Sequence, residues 1–380
     1  MPPARDAAAA AVQLQARLIA VADAAPDVDA DAVIAAAADA LAAAADDPRV
    51  LVMTAETLAA ATHLAAGEPA VEPGFRVHRA PDGAFVVAEV LAGGGAAAAG
   101  LKPGDVVLEV AGAPMRRGNR DLLPWFGRAA GTAMPLRIQR GGAERALTVA
   151  LAEVGTPPVA LTIKGKVGIL RIHQLTRADD ASRDGVAALR AALATCDRKK
   201  VTGLVLDLRG DLGGTVPMGV ASLFTNAAQL VAFVDAAGNA ATLDRDGEIW
   251  PTERPIEIIV DDQTRDMSEL LALALQDLDV AYVVGEPSAG TLALPGTIDL
   301  PGERVLVYPY ADTAGPVSRT PPADHRVTPT LVVANRTAAQ LAQGKDPQLD
   351  AAIADVKRRA RQPRPKRPPA RPAPAAAGTP

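Results

Sequence analysis

Side chains able to act as nucleophiles are scarce in this chain. Its 380 residues include five serines (Ser182, Ser222, Ser268, Ser288 and Ser318) and one cysteine, Cys196. Serine or cysteine hydrolysis needs a base within hydrogen-bond reach of the nucleophile. No lysine lies between Lys200 and Lys345, and His63, His78, His173 and His325 are scattered without metal-site spacing. Cys196 has neither a neighbouring histidine nor a glycine-rich turn, so it reads as a structural or surface thiol. As the sole cysteine it excludes an internal disulfide, which fits a reducing compartment. Asp261, Asp262 and Asp266 could offer oxygen ligands to a divalent ion. No loop of the right spacing surrounds them, so they read as a solvated acidic turn, and no metal or cofactor is expected.

The elements that must position these groups converge on residues 256–291. The apolar run 256–260 reads as a buried strand, followed by a short polar turn, a helix over about 267–278 and a second buried strand over 280–285. A strand-turn-helix corner lifts one side chain above the sheet at a helix N-terminus, where α/β enzymes often present a nucleophile. The residue at this corner is Asp266. Ser268 follows two places later, about 200° round the helix and on a different face.

Outside that stretch the chain changes character several times. Residues 7–66 are alanine-rich with helical spacing: Leu14, Leu18, Ile19 and Val21 mark one helix, and Val33, Ile34, Ala38 and Leu41 a second. Pro26 and the aspartates after it break between them. Residues 69–153 alternate short strands with glycine turns, among them Pro103-Gly104 and Gly141-Gly142. The last 23 residues are rich in Pro, Arg and Ala and cannot bury enough apolar surface to order themselves.

Charge follows the same division. The net charge is −5, but eight basic residues from Lys357 onward leave −13 on residues 1–356. An acidic folded part argues against nucleic acid as a partner. A hydrophobic fraction of 49% with only 3% aromatic residues comes from alanine, and no run approaches the ~18 apolar residues of a membrane span. Gln13, Gln15 and Arg17 interrupt any apolar leader, so no signal peptide is read and a cytoplasmic location is expected.

Several strings together resemble the carboxyl-terminal processing, or tail-specific, serine peptidases over about residues 14–357. Gly74-Phe75-Arg76-Val77 resembles the carboxylate-binding loop of a PDZ domain, and Ala98-Ala99-Gly100-Leu101 with Gly104-Asp105 its following turn. The segment 203–214 is similar to the family string G-L-I-L-D-L-R-G-N-P-G-G. Ser268-Glu269, Gln276-Asp277, Gly285-Glu286 and Gly290 keep family register, and residues 346–353 resemble the helix D-P-x-L-x-x-A-L. The expected fold is therefore a multidomain α/β chain. It comprises an N-terminal helical region (1–68), a β-rich PDZ domain with helices (69–153), a ClpP/crotonase-like α/β tail-specific peptidase core (154–357) and a disordered basic tail (358–380).

The resemblance also implies roles. The family nucleophile falls on Asp266, its lysine base on Thr291 and the glutamine that orients the lysine on Pro295, so all three reactive positions are substituted. Gly213, Gly214 and Met267 match the oxyanion amides, and Gly74, Phe75, Arg76 and Val77 the peptide-binding loop. Asp207 and Arg209 read as braces of the strand end. The expected function is that of an inactive homologue that binds peptides or protein C-termini through the PDZ domain and core cleft. Two alternatives stand beside it: an active serine-type peptidase with rearranged residues around Ser268 or Ser288, and a small apolar ligand-binding protein, as the retinoid-binding protein of the eye resembles this core. The N-terminal helices offer a surface for homo-oligomerisation.

Overall fold

The computed structural model describes residues 29–45, 47–66, 68, 71–155, 157–173, 176, 184–211, 217–245, 249–250 and 252–362. The helix expected around Leu14, the basic tail beyond 362, Ser182, Gly213 and Gly214 lie outside the described residues. The chain divides into two compact units, residues 1–55 with 296–308, and residues 56–295 with 309–380.

In the first unit the helix Ala30–Ala45 precedes the strand Leu51–Thr54. That strand is short and takes its backbone partner from far along the chain, pairing antiparallel with residues 304–307, Leu51 opposite Val307. Arg304 forms an ion pair with Asp39 of the helix. Among the described residues no helix is long and apolar enough to cross a membrane.

Two sheets of the second unit position the candidate site. The core sheet runs in the order 159–164, 167–172, 203–207, 256–260, 281–285, 331–332. Its first two strands form an antiparallel hairpin and the rest are parallel. A parallel strand covered on both faces reads as a continuous apolar run, and Gly203–Asp207 and Ile256–Val260 are buried at every position. Alternation assigns the faces. Leu204, Leu206, Ile256, Ile258 and Val260 pack against the helices Gly185–Arg198 and Met267–Asp277. Val205, Ile259 and Val284 pack against Ala352, Ile353 and Val356 of the helix Pro347–Arg359. Glu257 falls on this second face and, fully buried, meets Arg359 at 2.7 Å.

The second, PDZ-type sheet runs 75–79, 85–90, 106–110, 133–140, 143–150, with the short strand 113–114 pairing beside 106–110. Phe75–Arg79 is its edge strand, and the 3-10 helix Gly118–Trp125 lies alongside. This sheet sits against the core through polar contacts. Arg171 of the core binds Glu89 at 2.6 Å, His173 meets Glu89 at 3.0 Å and His78 meets the Arg336 carbonyl at 2.7 Å. Gly118 has a positive φ of 64°, and a Cβ there would collide with Gln263 of the core. Between the sheets lies a cavity of about 240 Å³ lined by four arginines, Arg76, Arg171, Arg209 and Arg336, and by Glu89, Asp207, Asp261 and Asp346.

Candidate active site

The strand Ile256–Val260 delivers the chain to a tight turn whose geometry is set by one residue. Asp266 has φ 51° and ψ −123°, and the Ser268 N–H donates to the Arg265 carbonyl at 3.1 Å across it. An L-residue in this region costs about 1–3 kcal/mol and persists only where its surroundings hold it. The Asp266 N–H is held by Thr291 Oγ1 at 2.7 Å and Glu269 Oε2 at 3.1 Å. The sharp, strained strand-to-helix corner read from the pattern is thus present, with a carboxylate at its tip.

Glu269 is the hub of this corner. Its side chain is fully buried and accepts from the amides of Asp266, Gly290 (2.8 Å) and Thr291 (2.9 Å) and from the hydroxyls of Ser288 and Thr291. Burial pushes its pKa up to about 7, against the pull of these donors. The loop 288–291 is fastened further by the Ala289 N–H on the Thr264 carbonyl at 2.9 Å and by the Val327 N–H on Ser288 Oγ at 2.8 Å. One buried carboxylate therefore couples the corner to the loop where the family base would stand.

The structure brings Asp266 and Thr291 into direct contact. Asp266 is exposed, Thr291 half-buried and Pro295 exposed, in the strand Ala293–Leu300. Met267 opens the helix, where its first-turn N–H has no intrahelical acceptor. Desolvation raises the Asp266 pKa, while the charges of Arg265 and Arg120 and a bond from Thr291 oppose it.

Both serines near the corner donate to carboxylates rather than to a lysine or a histidine. Ser268 is fully buried and donates to Asp211 Oδ2 at 2.6 Å, and Ser288 donates to Glu269. Asp261 caps neighbouring groups, accepting from the Gly210 N–H (3.0 Å), the Gln263 N–H (3.1 Å) and Thr264 Oγ1 (3.1 Å). Asp262 accepts from Asn335 Nδ2 at 2.7 Å and from Gln263 Nε2 at 2.7 Å. Arg209 grips Asp207 at 2.7 Å and Asp346 at 2.8 Å, tying a strand end to the cap of the helix Pro347–Arg359. Burial favours neutral Asp207, but Arg209 and Arg171 outweigh it and hold its carboxyl well below the usual range.

At the PDZ loop, Gly74 turns with φ 79°, and Phe75 and Val77 are buried. Arg76 donates to Glu72 at 2.5 Å and to the Phe75 carbonyl at 3.0 Å, and lies 5.7 Å from the Phe126 ring. The outer edge of this strand is already filled. Asn119 Oδ1 accepts from the Val77 N–H at 2.8 Å and Asn119 Nδ2 donates to the Val77 carbonyl at 3.2 Å. The Arg79 N–H donates to Asp262 at 3.2 Å, and the Arg79 carbonyl accepts from Asn335 at 3.0 Å. In the sequence alone none of Asn119, Asn335, Arg120 and Arg265 stands out, and Glu269 has a place in the Ser268-Glu269 pair but no role. For Glu269 the signal was its place beside Ser268, and for Arg265 a charge ahead of the corner.

The site thus combines a parallel α/β core carrying a strained strand-to-helix corner with a PDZ-type sheet that precedes it. Residues 166–333 match the family model "Peptidase family S41", and residues 70–121 match "PDZ domain". The curated relatives that this chain is similar to include carboxyl-terminal processing peptidases. It is 28% identical over 233 residues to carboxyl-terminal-processing peptidase 2, chloroplastic, of Arabidopsis thaliana, covering 58% of this chain and 44% of that one. It is 30% identical over 210 residues to the carboxyl-terminal-processing protease of Synechocystis sp., covering 53% and 48%. The chain thus spans about half the length of the curated relatives it matches. Among solved structures, the photosystem II D1 C-terminal processing protease shares the fold with a TM-score of 0.56 and 24% identity, over 77% of this chain and 79% of that one.

Proposed function

We propose that this chain is a catalytically inactive member of its family that binds peptides or protein C-termini. One observation carries the reading: at the strained corner the Asp266 N–H donates to Thr291 Oγ1 at 2.7 Å, so an aspartate and a threonine occupy the two places where the family's serine and lysine would face each other. The corner position therefore offers no hydroxyl nucleophile, and Thr291, whose own hydroxyl donates to Glu269, stands where the family lysine would act as base. The two buried serines nearby each donate to a carboxylate, and Asp211 and Glu269 hold them away from a nucleophilic role. Peptide addition to Phe75–Arg79 would use backbone pairing, so it requires Asn119 to release Val77.

The test is incubation of the full chain with an unstructured protein substrate, with cleavage followed by mass spectrometry and binding by fluorescence anisotropy. Saturable binding without cleavage is the expected result. Cleavage that disappears in Asp266→Ala, or that needs Ser268 or Ser288, overturns the reading.

A further inference from the structure

The cavity of about 240 Å³ between the PDZ-type sheet and the core is walled by four arginines and four carboxylates, so its lining is neutral as a whole. Most of these charges have bonded partners. Arg76 is taken by Glu72, Arg171 by Glu89, and Arg209 by Asp207 and Asp346. One charge of each sign is left over. Arg336 feels Asp346, Asp207 and Asp261 and is repelled by Arg209. It lacks a bonded partner rather than nearby charge: it reaches Asp346 only at 3.5 Å, and its Nε–H is buried without an acceptor. Asp261 is 1% exposed and forms no ion pair among the described residues. Its Oδ1 accepts from the Gly210 and Gln263 amides and from Thr264 Oγ1, and Oδ2 accepts none of these bonds.

A desolvated charge without a bonded partner is costly. A bound molecule satisfies both leftover ends only if it carries both signs, because a lone anion or a lone cation unbalances a neutral lining. A guanidinium fork matches a planar carboxylate, and a carboxylate oxygen accepts readily from an ammonium. The 240 Å³ equal the volume of about eight waters and fall below the ~300–1,000 Å³ of pockets for drug-sized ligands. The occupant is therefore small. The apolar side chains of the wall are Ala88 and Leu349, which suit a short aliphatic group. The geometry points to this cavity as a site for a free α-amino acid of about the size of alanine, its carboxylate on Arg336 and its ammonium on Asp261 Oδ2. Ala88 comes from the PDZ domain and Leu349 from the core, so a bound amino acid favours the docked arrangement of the two. This site needs neither the corner nor an open PDZ edge, and it stands or falls apart from the peptide-binding reading.

The test is titration of the full chain, followed by saturation-transfer NMR of the added molecule and by the thermal midpoint of unfolding. The probes are L-alanine, acetate, methylammonium and inorganic phosphate. L-alanine is expected to bind saturably and to raise the midpoint with its concentration. Acetate and methylammonium are each expected to bind about tenfold more weakly or worse. The two leftover charges make opposite predictions for variants. Arg336→Gln leaves the lining with an excess negative charge, so alanine is expected to weaken about tenfold while methylammonium overtakes it. Asp261→Asn keeps an oxygen for the Gly210 amide but removes the charge, so acetate is expected to overtake alanine. Should Asp261→Asn fail to fold, the Arg336→Gln arm decides alone.

Acetate or phosphate binding as tightly as alanine to the parent chain makes this an anion site and overturns the assignment. Equal binding of methylammonium makes it a cation site, with the same result. If no probe binds saturably, or a folded Arg336→Gln holds alanine as well as the parent does, the cavity is no amino-acid site.

Discussion

Glu269 shows how a single buried acid can fix a site it does not react in. Its two oxygens accept from three amides and two hydroxyls spread over residues 266–291. Glu269→Ala strands those donors in a buried place, so a loss of about 2–5 kcal/mol is expected, measured by urea unfolding. Asp266 behaves oppositely. Its backbone at φ 51°, ψ −123° suits glycine, so Asp266→Gly is expected to leave stability unchanged or raise it by about 1–2 kcal/mol, as strain relief outweighs the added chain entropy. A loss above about 1 kcal/mol would show that the aspartate side chain, rather than the elbow, holds the corner. The sequence made the corner legible because strand, turn and helix are local patterns. It left Glu269's role hidden because its partners at 288–291 are brought in by the parallel pairing of Ile256–Val260 with Ala281–Gly285.

At the scale of elements, the PDZ edge strand is closed by side chains that imitate a neighbouring strand. Asn119 offers Val77 both an acceptor and a donor, as a backbone residue would. Asp262 and Asn335 do the same for Arg79 from the core. The Asn119 N–H is in turn held by Gln263 Oε1 at 2.8 Å, so the cap is anchored in the core. Asn119→Ala is expected to speed hydrogen exchange at the Val77 amide at least tenfold and to cost about 1–3 kcal/mol. Unchanged exchange at Val77 would mean that the amide opens only with the whole sheet. The strands of this domain were readable from alternation and glycine turns, as was the continuous burial of the core strands. The cap was not, since Asn119 lies 42 residues from Val77 and Asn335 256 residues from Arg79. The pairing of Leu51–Thr54 with residues 304–307 was hidden for the same reason: no local signal names a partner some 250 residues away.

For the molecule as a whole, the buried ionisable groups act in opposite directions on stability, and their balance predicts a pH optimum. Burial raises Glu257 to about 8, with Arg359 opposing, and raises Asp262 to about 7, with Asp261 adding to the effect. Each of these favours the folded state fully below its unfolded pKa, and that contribution is lost as pH rises through the folded value. Glu89 and Asp207 are held far below the carboxylate range, because their arginines outweigh the burial that opposes them. Their contribution is present above the unfolded pKa and is lost as pH falls. Burial lowers His78 to about 4, so its part also fades as pH drops from 6.5 toward 4. His78 and Glu89 both sit where the PDZ sheet meets the core. Acid is therefore expected to loosen that seam before it melts either sheet, whereas alkali acts through Glu257 beneath the helix Pro347–Arg359 and also through Asp262 and Glu269. Thermal unfolding followed from pH 3 to 9 is expected to peak at mildly acidic pH, between about 4 and 6. Glu257→Gln should flatten the alkaline limb and leave the acid limb in place. A maximum above pH 8 in the parent chain, or an alkaline limb unchanged in Glu257→Gln, would mean that Glu257 is ionised and satisfied by Arg359 in the folded state and sets no part of the optimum.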